Sequence, residues 1–563
     1  SGRIFDSLDY VEALHEIENW NQSGLYSSAV QKWLAGCKSR VVSVTTPEPG
    51  KREQLNDAEE KRLAEVKESL SEAEIAALIA AAHAGDEDSD SAADTVTAAL
   101  GGLQAVTVAS LPEEIAHYDI LDETDEQGVR RMTSAVGVED VGMPVILLDA
   151  AGVPQEDLHW FVLYLSLLGQ MDTDRHSKDE LQDLCSRYLF GGEIRQSQMD
   201  EYGTKNFHPY LRAGWLSSGE DLERGYDLVY ELLFETRFTE TGTLADLIER
   251  NRSGMKSLLT YSAYDTMMYR ALGADSPLYA YYSHCNGLDY YAFLEDAAEQ
   301  LRENPEAVVR KLEQVQSRFR NRTNAVAMFA GAEELVEENR RASEDFFSRL
   351  DAVPVEPADY AFEEPRMREA LVVDETVQYN GLAGSYEAMG LEGYTADLDA
   401  VAAIVTDRYL IPKLREEYGV YTPMHYYDSF AGSYLISYRD PNIEETFAVY
   451  EALPELLAAD EVDRETLDGY ILSCYSAYAM PTGELNGAVS AMTSLLCGEP
   501  EDLKTRYMEE LKSLTPERLR GYAEAYRNLA ENGRRFTVGS ESVIRTHEDL
   551  FDVILRPFQV ETE

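Results

Sequence analysis

Arg415 and Tyr421 lie six positions apart on either side of Gly419. The stretch from Ile411 to Glu417 reads as the end of a helix, Gly419 marks a turn, and a strand pattern follows. A fixed guanidinium and a phenol hydroxyl in that arrangement could both reach one carbonyl or carboxylate oxygen. Two structural readings stand beside the chemical one. An arginine in a helix's last turn complements the helix dipole, and Tyr421 could be one more packed aromatic in a chain with 35 tyrosines. Ser433 to Arg439 reads as a strand, and Asp440-Pro441 as the start of a helix with Ile443, Phe447, Tyr450 and Leu453 on one face. An N-cap aspartate followed by proline is a helix-start signal.

Other chemistries lack their residues. The sequence has no Walker A loop, no GxGxxG after a strand, no GxSxG elbow, and neither HExxH nor HxxEH. His159 opens a helical pattern, but Trp160, Phe161, Val162 and Leu163 follow it, and none of them binds a metal. His284 and His425 stand alone and read as hydrogen-bonded structural residues. Cys37, Cys185, Cys285, Cys474 and Cys497 are far apart, without a CxxC pair. Each is expected to be a small buried apolar residue in a reducing compartment, the bacterial cytoplasm or alternatively an organellar matrix.

A formal net charge of −55 disfavours nucleic acid and anionic membranes as partners. It would steer cationic peptides toward the chain, although high acidity also serves solubility alone. The longest apolar run, Trp160 to Leu168, is half a membrane span. The chain opens Ser1-Gly2 without a leader pattern, which suggests a cloning scar or a cut inside a longer polypeptide.

Three regions have to position the candidate site. Residues 1–112 read as a helical hairpin linker. It has helical spacing from Asn56 to Leu70, a capping box at Ser71–Glu74, apolar Ile75, Leu78 and Ile79, and a β-rich piece from Arg40 to Thr46. Asp86–Asp90 reads as a solvated turn. Residues 113–352 show strands at Gly142–Leu148, Leu211–Trp215 and Arg322–Gly331, a buried helix from His159, and a helix capped by Ser218. After a linker at Pro354–Pro357, residues 353–563 repeat the grammar, with a strand at Val377–Ala383 and a helix from Leu398 to Glu417. Strand, acidic cap and amphipathic helix recur about 220 residues apart, which predicts an internally duplicated α+β architecture of two tandem αβ-sandwich domains, each expected to be an antiparallel sheet covered by helices.

The segment Leu414 to Tyr421 resembles the Arg-x-x-Gly-Gly-Ala-Tyr-Gly motif of presequence-protease-type zinc metallopeptidases, of the pitrilysin and insulysin group. Ser437-Tyr438-Arg439-Asp440-Pro441-Asn442 and the stretch from Asp463 through Tyr478 to Pro481 are similar to neighbouring parts of that family's last domain. The helical start, with Leu111-Pro112, resembles its hinge. The resemblance implies four related αβ domains around a closed chamber, with zinc and its HxxEH motif in the N-terminal half and this chain as the C-terminal, non-zinc half. It implies that Arg415, Gly419 and Tyr421 bind substrate, and that Arg415 and Tyr421 also stabilise the transition state. This chain would then bind no metal and be inactive alone. Its partners would be the zinc-binding half and unfolded peptides, with a preference for basic ones. Tyr418 and Thr422 stand where the motif has glycines, so a stiffer turn is expected. The alternative is a peptidase-like binding or assembly subunit that has lost its chemistry, as in respiratory-complex core subunits of this fold.

Overall fold

The protein is described by a computed structural model covering residues 11–39, 41–44, 46, 51–71, 73–75, 106–111, 117–480 and 482–558. It forms two compact units, residues 1–105 and 106–563. In the first, helices run Val11–Gln22, Leu25–Ala29 and Lys51–Ser69, and a wider helix runs Val30–Ala35. None of their described side chains is buried. The Ser71 box is made: Ser71 N–H donates to Glu74 Oε2 at 2.8 Å, and Glu74 N–H to Ser71 Oγ at 3.3 Å. Leu78, Ile79 and Asp86–Asp90 lie outside the described residues.

In the second unit two six-stranded sheets carry the fold. The first contains β1 (Leu121–Thr124), β2 (Arg130–Ala135), β3 (Val141–Asp149), β4 (Phe190–Asp200), β5 (Phe207–Ser218) and β6 (Val326–Gly331), in spatial order β1-β2-β6-β3-β5-β4. The second contains β7 (Arg368–Val372), β8 (Gln378–Ser385), β9 (Thr422–Asp428), β10 (Gly432–Asp440), β11 (Arg534–Gly539) and β12 (Val553–Leu555), in order β12-β7-β11-β8-β10-β9. The runs β2-β6-β3-β5-β4 and β7-β11-β8-β10-β9 correspond strand for strand. In each run the first pair is parallel and the rest antiparallel. Only the outermost strand differs: β1 is antiparallel to β2, whereas β12 is parallel to β7. The α+β fold is therefore a duplicated one, but its sheets are mixed rather than antiparallel throughout, because β6 returns parallel to β2 and β11 to β7.

Each sheet is completed by a helix from the other half of the unit. Helix Ala263–Leu272 crosses β8, β10 and β11, and its Met267, Met268 and Leu272 pack with Leu371, Ile436, Phe536 and Val538. Helix Glu484–Leu496 returns the exchange, placing Ala488, Val489 and Met492 against Met132, Val145, Leu147 and Met328. Burying a side chain of this size contributes about 1.5–3 kcal/mol, so each sheet depends on the other's sequence for one face. Arg270 adds an ion pair to Glu369 at 2.7 Å, largely out of solvent.

Three local expectations change, and the Pro354–Pro357 linker, which carries neither helix nor strand, is a packed one. Residues 41–44 form no strand; Val41, Val42 and Val44 are exposed, and among the described residues no other strand pairs with them. Ser218 does not cap a helix through its hydroxyl, which donates instead to Asp221 Oδ2 at 3.1 Å; a 3-10 turn intervenes and the helix starts at Leu222. The 354–362 stretch is held against the first sheet's half: Ala358 N–H donates to the Ala151 carbonyl at 2.8 Å, and the Tyr360 hydroxyl to Val153 O at 3.1 Å. Of the cysteines, Cys285 and Cys497 are buried, while Cys37 is exposed.

Candidate functional site

The helix leading to the site is not uniform. Asp397–Val405 is α-helical and Thr406–Glu417 continues in wider π turns. Pro412 lies inside this second part without an N–H to give, and wide turns are one way a helix absorbs that loss. Leu410 and Leu414 are buried on one face, leaving Arg415 on the exposed side. The helix ends with Tyr418 N–H donating to Lys413 O at 3.1 Å and Val420 N–H to Leu414 O at 2.8 Å.

Between them Gly419 adopts φ +75°. An L-residue there costs about 1–2 kcal/mol in backbone strain, although space is open: an added Cβ would meet only Pro441 Cγ, at 4.0 Å. Tyr418, at φ −105°, sits in a conformation any residue adopts. The motif's second glycine is thus required by the turn and its first is not.

Tyr421 follows, 62 % exposed, its N–H donating to Arg439 O at 3.3 Å. Its ring lies 6.1 Å from that of Tyr438, and the Arg439 guanidinium stands 5.6 Å from the same Tyr438 ring. Arg415 and Tyr421 flank the turn, and among the described residues no hydrogen bond or cation–ring contact joins them. Among the described residues neither the Arg415 guanidinium nor the Tyr421 hydroxyl has a hydrogen-bond or ion-pair partner, whereas the flanking Lys413 pairs with Glu417 at 2.7 Å.

What fixes the turn is Asp440, and here the sequence reading is corrected. Asp440 is fully buried at the end of β10 and does not cap a helix; the helix begins at Glu444. Its carboxylate is occupied elsewhere. It accepts from Asn380 Nδ2 at 2.9 Å, from the Ser437 and Thr446 hydroxyls at 2.5 Å each, and from Asn442 N–H at 2.8 Å. Asn442 Nδ2 then donates to the Tyr418 carbonyl at 2.9 Å, which ties the cluster to the turn. Thr537 closes the far side by donating to Asn380 Oδ1 at 2.8 Å. The available signal was a run of polar residues, Gln378 and Asn380 on β8 and Ser433 and Ser437 on β10, at buried positions of one face.

The histidines are structural, as expected. His159 Nε2–H donates to His284 O at 2.9 Å, and His284 Nδ1 meets Asp289 Oδ2 at 2.8 Å. His425 is buried between the Tyr526 hydroxyl and Ser433 Oγ, at 3.3 and 3.1 Å. Burial holds His425 down at about 3; burial, then the neighbouring His284, holds His159 at about 4. Both protonate near pH 6.5 once unfolded. Their stabilisation is therefore complete above pH 6.5 and is lost as pH falls toward the folded values. Each should cost about 2 kcal/mol by pH 5. Chemical-denaturation midpoints measured from pH 7 to 5 should fall, and His425→Gln should flatten that slope.

Two family models match the chain. One describes the region associated with M16 peptidases of subgroup C and covers residues 45–296; the other is the PreP C-terminal domain, over residues 368–537, a span containing Arg415, Tyr421 and Asp440. The chain belongs to the pitrilysin-type peptidases. It corresponds to their C-terminal half. Protein HypA of Clostridium perfringens is 22% identical over 560 residues, covering 98% of this chain and 56% of the relative. Presequence protease 1, chloroplastic/mitochondrial, of Arabidopsis thaliana is 23% identical over 555 residues, covering 95% and 50%. The chain thus spans about half the length of these relatives. Among solved structures, a protease from Helicobacter pylori matches 75% of this chain and 99% of its own at TM-score 0.52 and 14% identity. A peptidase M16 inactive domain from Pseudomonas fluorescens matches 75% and 98% at TM-score 0.51 and 12% identity. These two show a shared fold.

Among the described residues no three His, Cys, Asp or Glu side chains converge as a metal's donor set. They do not fit a zinc ion, so no step of the chemistry is routed through a metal on this chain. No described helix is long and apolar enough to cross a membrane.

Proposed function

We propose that this chain is the non-zinc half of a metallopeptidase that degrades short unfolded peptides in a closed chamber, and that it is inactive without the half bearing HxxEH. Its part is to hold the substrate and to stabilise negative charge on the carbonyl oxygen under attack. The observation that supports this is the Arg415–Tyr421 turn. Two donors without partners among the described residues are presented to solvent on a backbone pinned from below by a buried aspartate. Surface donors kept free on a rigid support are arranged for a ligand. Gly419 shapes the turn between them.

The test is complementation. The chain alone, the HxxEH-bearing half alone and an equimolar mixture are incubated with an unfolded peptide, and cleavage is followed by mass spectrometry. Cleavage is expected only in the mixture. Cleavage by this chain alone would overturn the reading. So would a mixture that assembles without cleaving, which would favour a binding or assembly subunit.

A further inference from the structure

Strands β9 and β10 form the outer edge of the second sheet, and among the described residues β9 pairs only with β10. Along β9, Pro423, His425 and Tyr427 are buried, so Thr422, Met424, Tyr426 and Asp428 point to the other face. On β10 their register partners Tyr438, Ile436, Tyr434 and Gly432 share that face. Helix Ala263–Leu272 crosses β10 and buries Ile436, but it leaves the β9 side open: Tyr426 is 53 % exposed and Tyr434 partly so.

Aromatic rings gather at the Asp428 end. Tyr426 and Tyr434 lie 5.7 Å apart, and Tyr269 lies 5.5 Å from Tyr279 and 4.6 Å from Tyr282. Two carboxylates stand among them. Asp428 accepts from the Tyr279 hydroxyl at 2.7 Å and from two backbone amides of its own turn. Asp265 is half-buried on helix Ala263–Leu272, next to Tyr264 and one turn before Tyr269, so its carboxylate and the Tyr269 ring share one face of that helix. Among the described residues neither carboxylate has a Lys, Arg or His partner, and the hydroxyls of Tyr269, Tyr282 and Tyr434 have no hydrogen-bond partner. Burial raises the Asp265 carboxyl above its ordinary value, with Tyr264 opposing. The patch is a set of electron-rich rings around an uncompensated acid, the environment that attracts a cation.

We propose that this patch receives the ammonium or guanidinium of a lysine or arginine in an extended peptide lying along β9. Charge complementarity selects that occupant, and the open strand edge offers its backbone a ladder. Tyr421 immediately precedes β9 at its opposite end. From Thr422 to Tyr426 is about 13 Å, four residues of extended chain. The basic residue should therefore sit about four positions from the carbonyl that Tyr421 engages. The inference rests on the reading of this chain as a peptide-holding half.

The test measures binding by the whole chain alone. Fluorescence anisotropy at low salt would compare labelled unfolded peptides that differ only by arginine or its neutral isostere citrulline at one position. The arginine form should bind about tenfold more tightly. Asp265→Asn, near-isosteric and monitored by circular dichroism, should reduce that ratio below about twofold while leaving the citrulline affinity unchanged; Tyr434→Leu should reduce it as well. Glu334→Gln, an exposed acid outside the patch, should leave it intact. Equal binding of the two peptides overturns this proposal and leaves the peptide-holding reading standing, as does a Glu334→Gln effect as large as that of Asp265→Asn. Binding of neither peptide overturns both.

Discussion

Arg415→Ala, assayed with the complementary half present, is expected to lower kcat by about 10²- to 10³-fold, the usual consequence of removing one oxyanion donor from a closed site. Tyr421→Phe removes a single hydroxyl and should act in the same direction. The loss should fall on kcat more than on KM, because a donor aimed at developing charge contributes little before that charge appears. Arg415→Lys should recover only part of the rate, since a point charge lacks the planar donor fork. Stability is the control. Neither polar group has a partner among the described residues, so the denaturation midpoints of Arg415→Ala and Tyr421→Phe should match the parent within the usual range for surface substitutions, about 0.5 kcal/mol. Unchanged turnover in both variants would remove the assigned roles. A stability loss comparable to the rate loss would make the turn a structural device.

The turn at Gly419 was legible because its signals are local. A glycine between a helical and an extended pattern marks a left-handed turn, and Gly419 takes φ +75°. The duplication was legible for the same reason, since the order of short-range patterns repeats and the two strand orders correspond. What failed depends on partners distant in sequence. Asp440-Pro441 has the signature of a helix start, yet Asn380, some 60 residues upstream, and the nearby Ser437 and Thr446 take its carboxylate into the core. Arg40 to Thr46 has strand composition, but β-propensity expresses a fit to a neighbouring strand, and 41–44 meet none among the described residues. The tyrosine patch joins residues 264–282 to 421–438 through a helix that crosses from one half of the unit to the other. No periodicity within either segment announces that meeting.

Asp440→Ala should be the most damaging single substitution at this site, and the damage should appear as stability. The carboxylate is fully buried and satisfies the Asn380 amide, the Ser437 and Thr446 hydroxyls and the Asn442 backbone N–H. Its removal leaves several donors without acceptors where water does not reach. A stranded buried donor costs about 1–3 kcal/mol, and rotation of the two hydroxyls recovers part of the sum. A net loss of about 3–5 kcal/mol follows, near the upper limit for point substitutions. Asp440→Asn keeps one acceptor oxygen but turns an NH2 toward groups that already donate, so it should lie between the parent and the alanine variant. Asn442→Ala acts mainly on the tie to the turn, at the cost of one long donation, 3.2 Å, from Asn442 Nδ2 to Asp440 Oδ1. It removes the donation to the Tyr418 carbonyl that ties the cluster to the turn, while Asp440 keeps its other side-chain donors. Its stability cost should be near 1 kcal/mol, and its turnover, measured with the complementary half, should fall further than that cost accounts for. Denaturant midpoints and kcat for the three variants decide the matter. If Asp440→Ala shifts stability by less than about 1 kcal/mol, the cluster is not the turn's support. If Asn442→Ala leaves turnover untouched, the turn is held in place by Gly419 and the Leu414–Val420 contact alone.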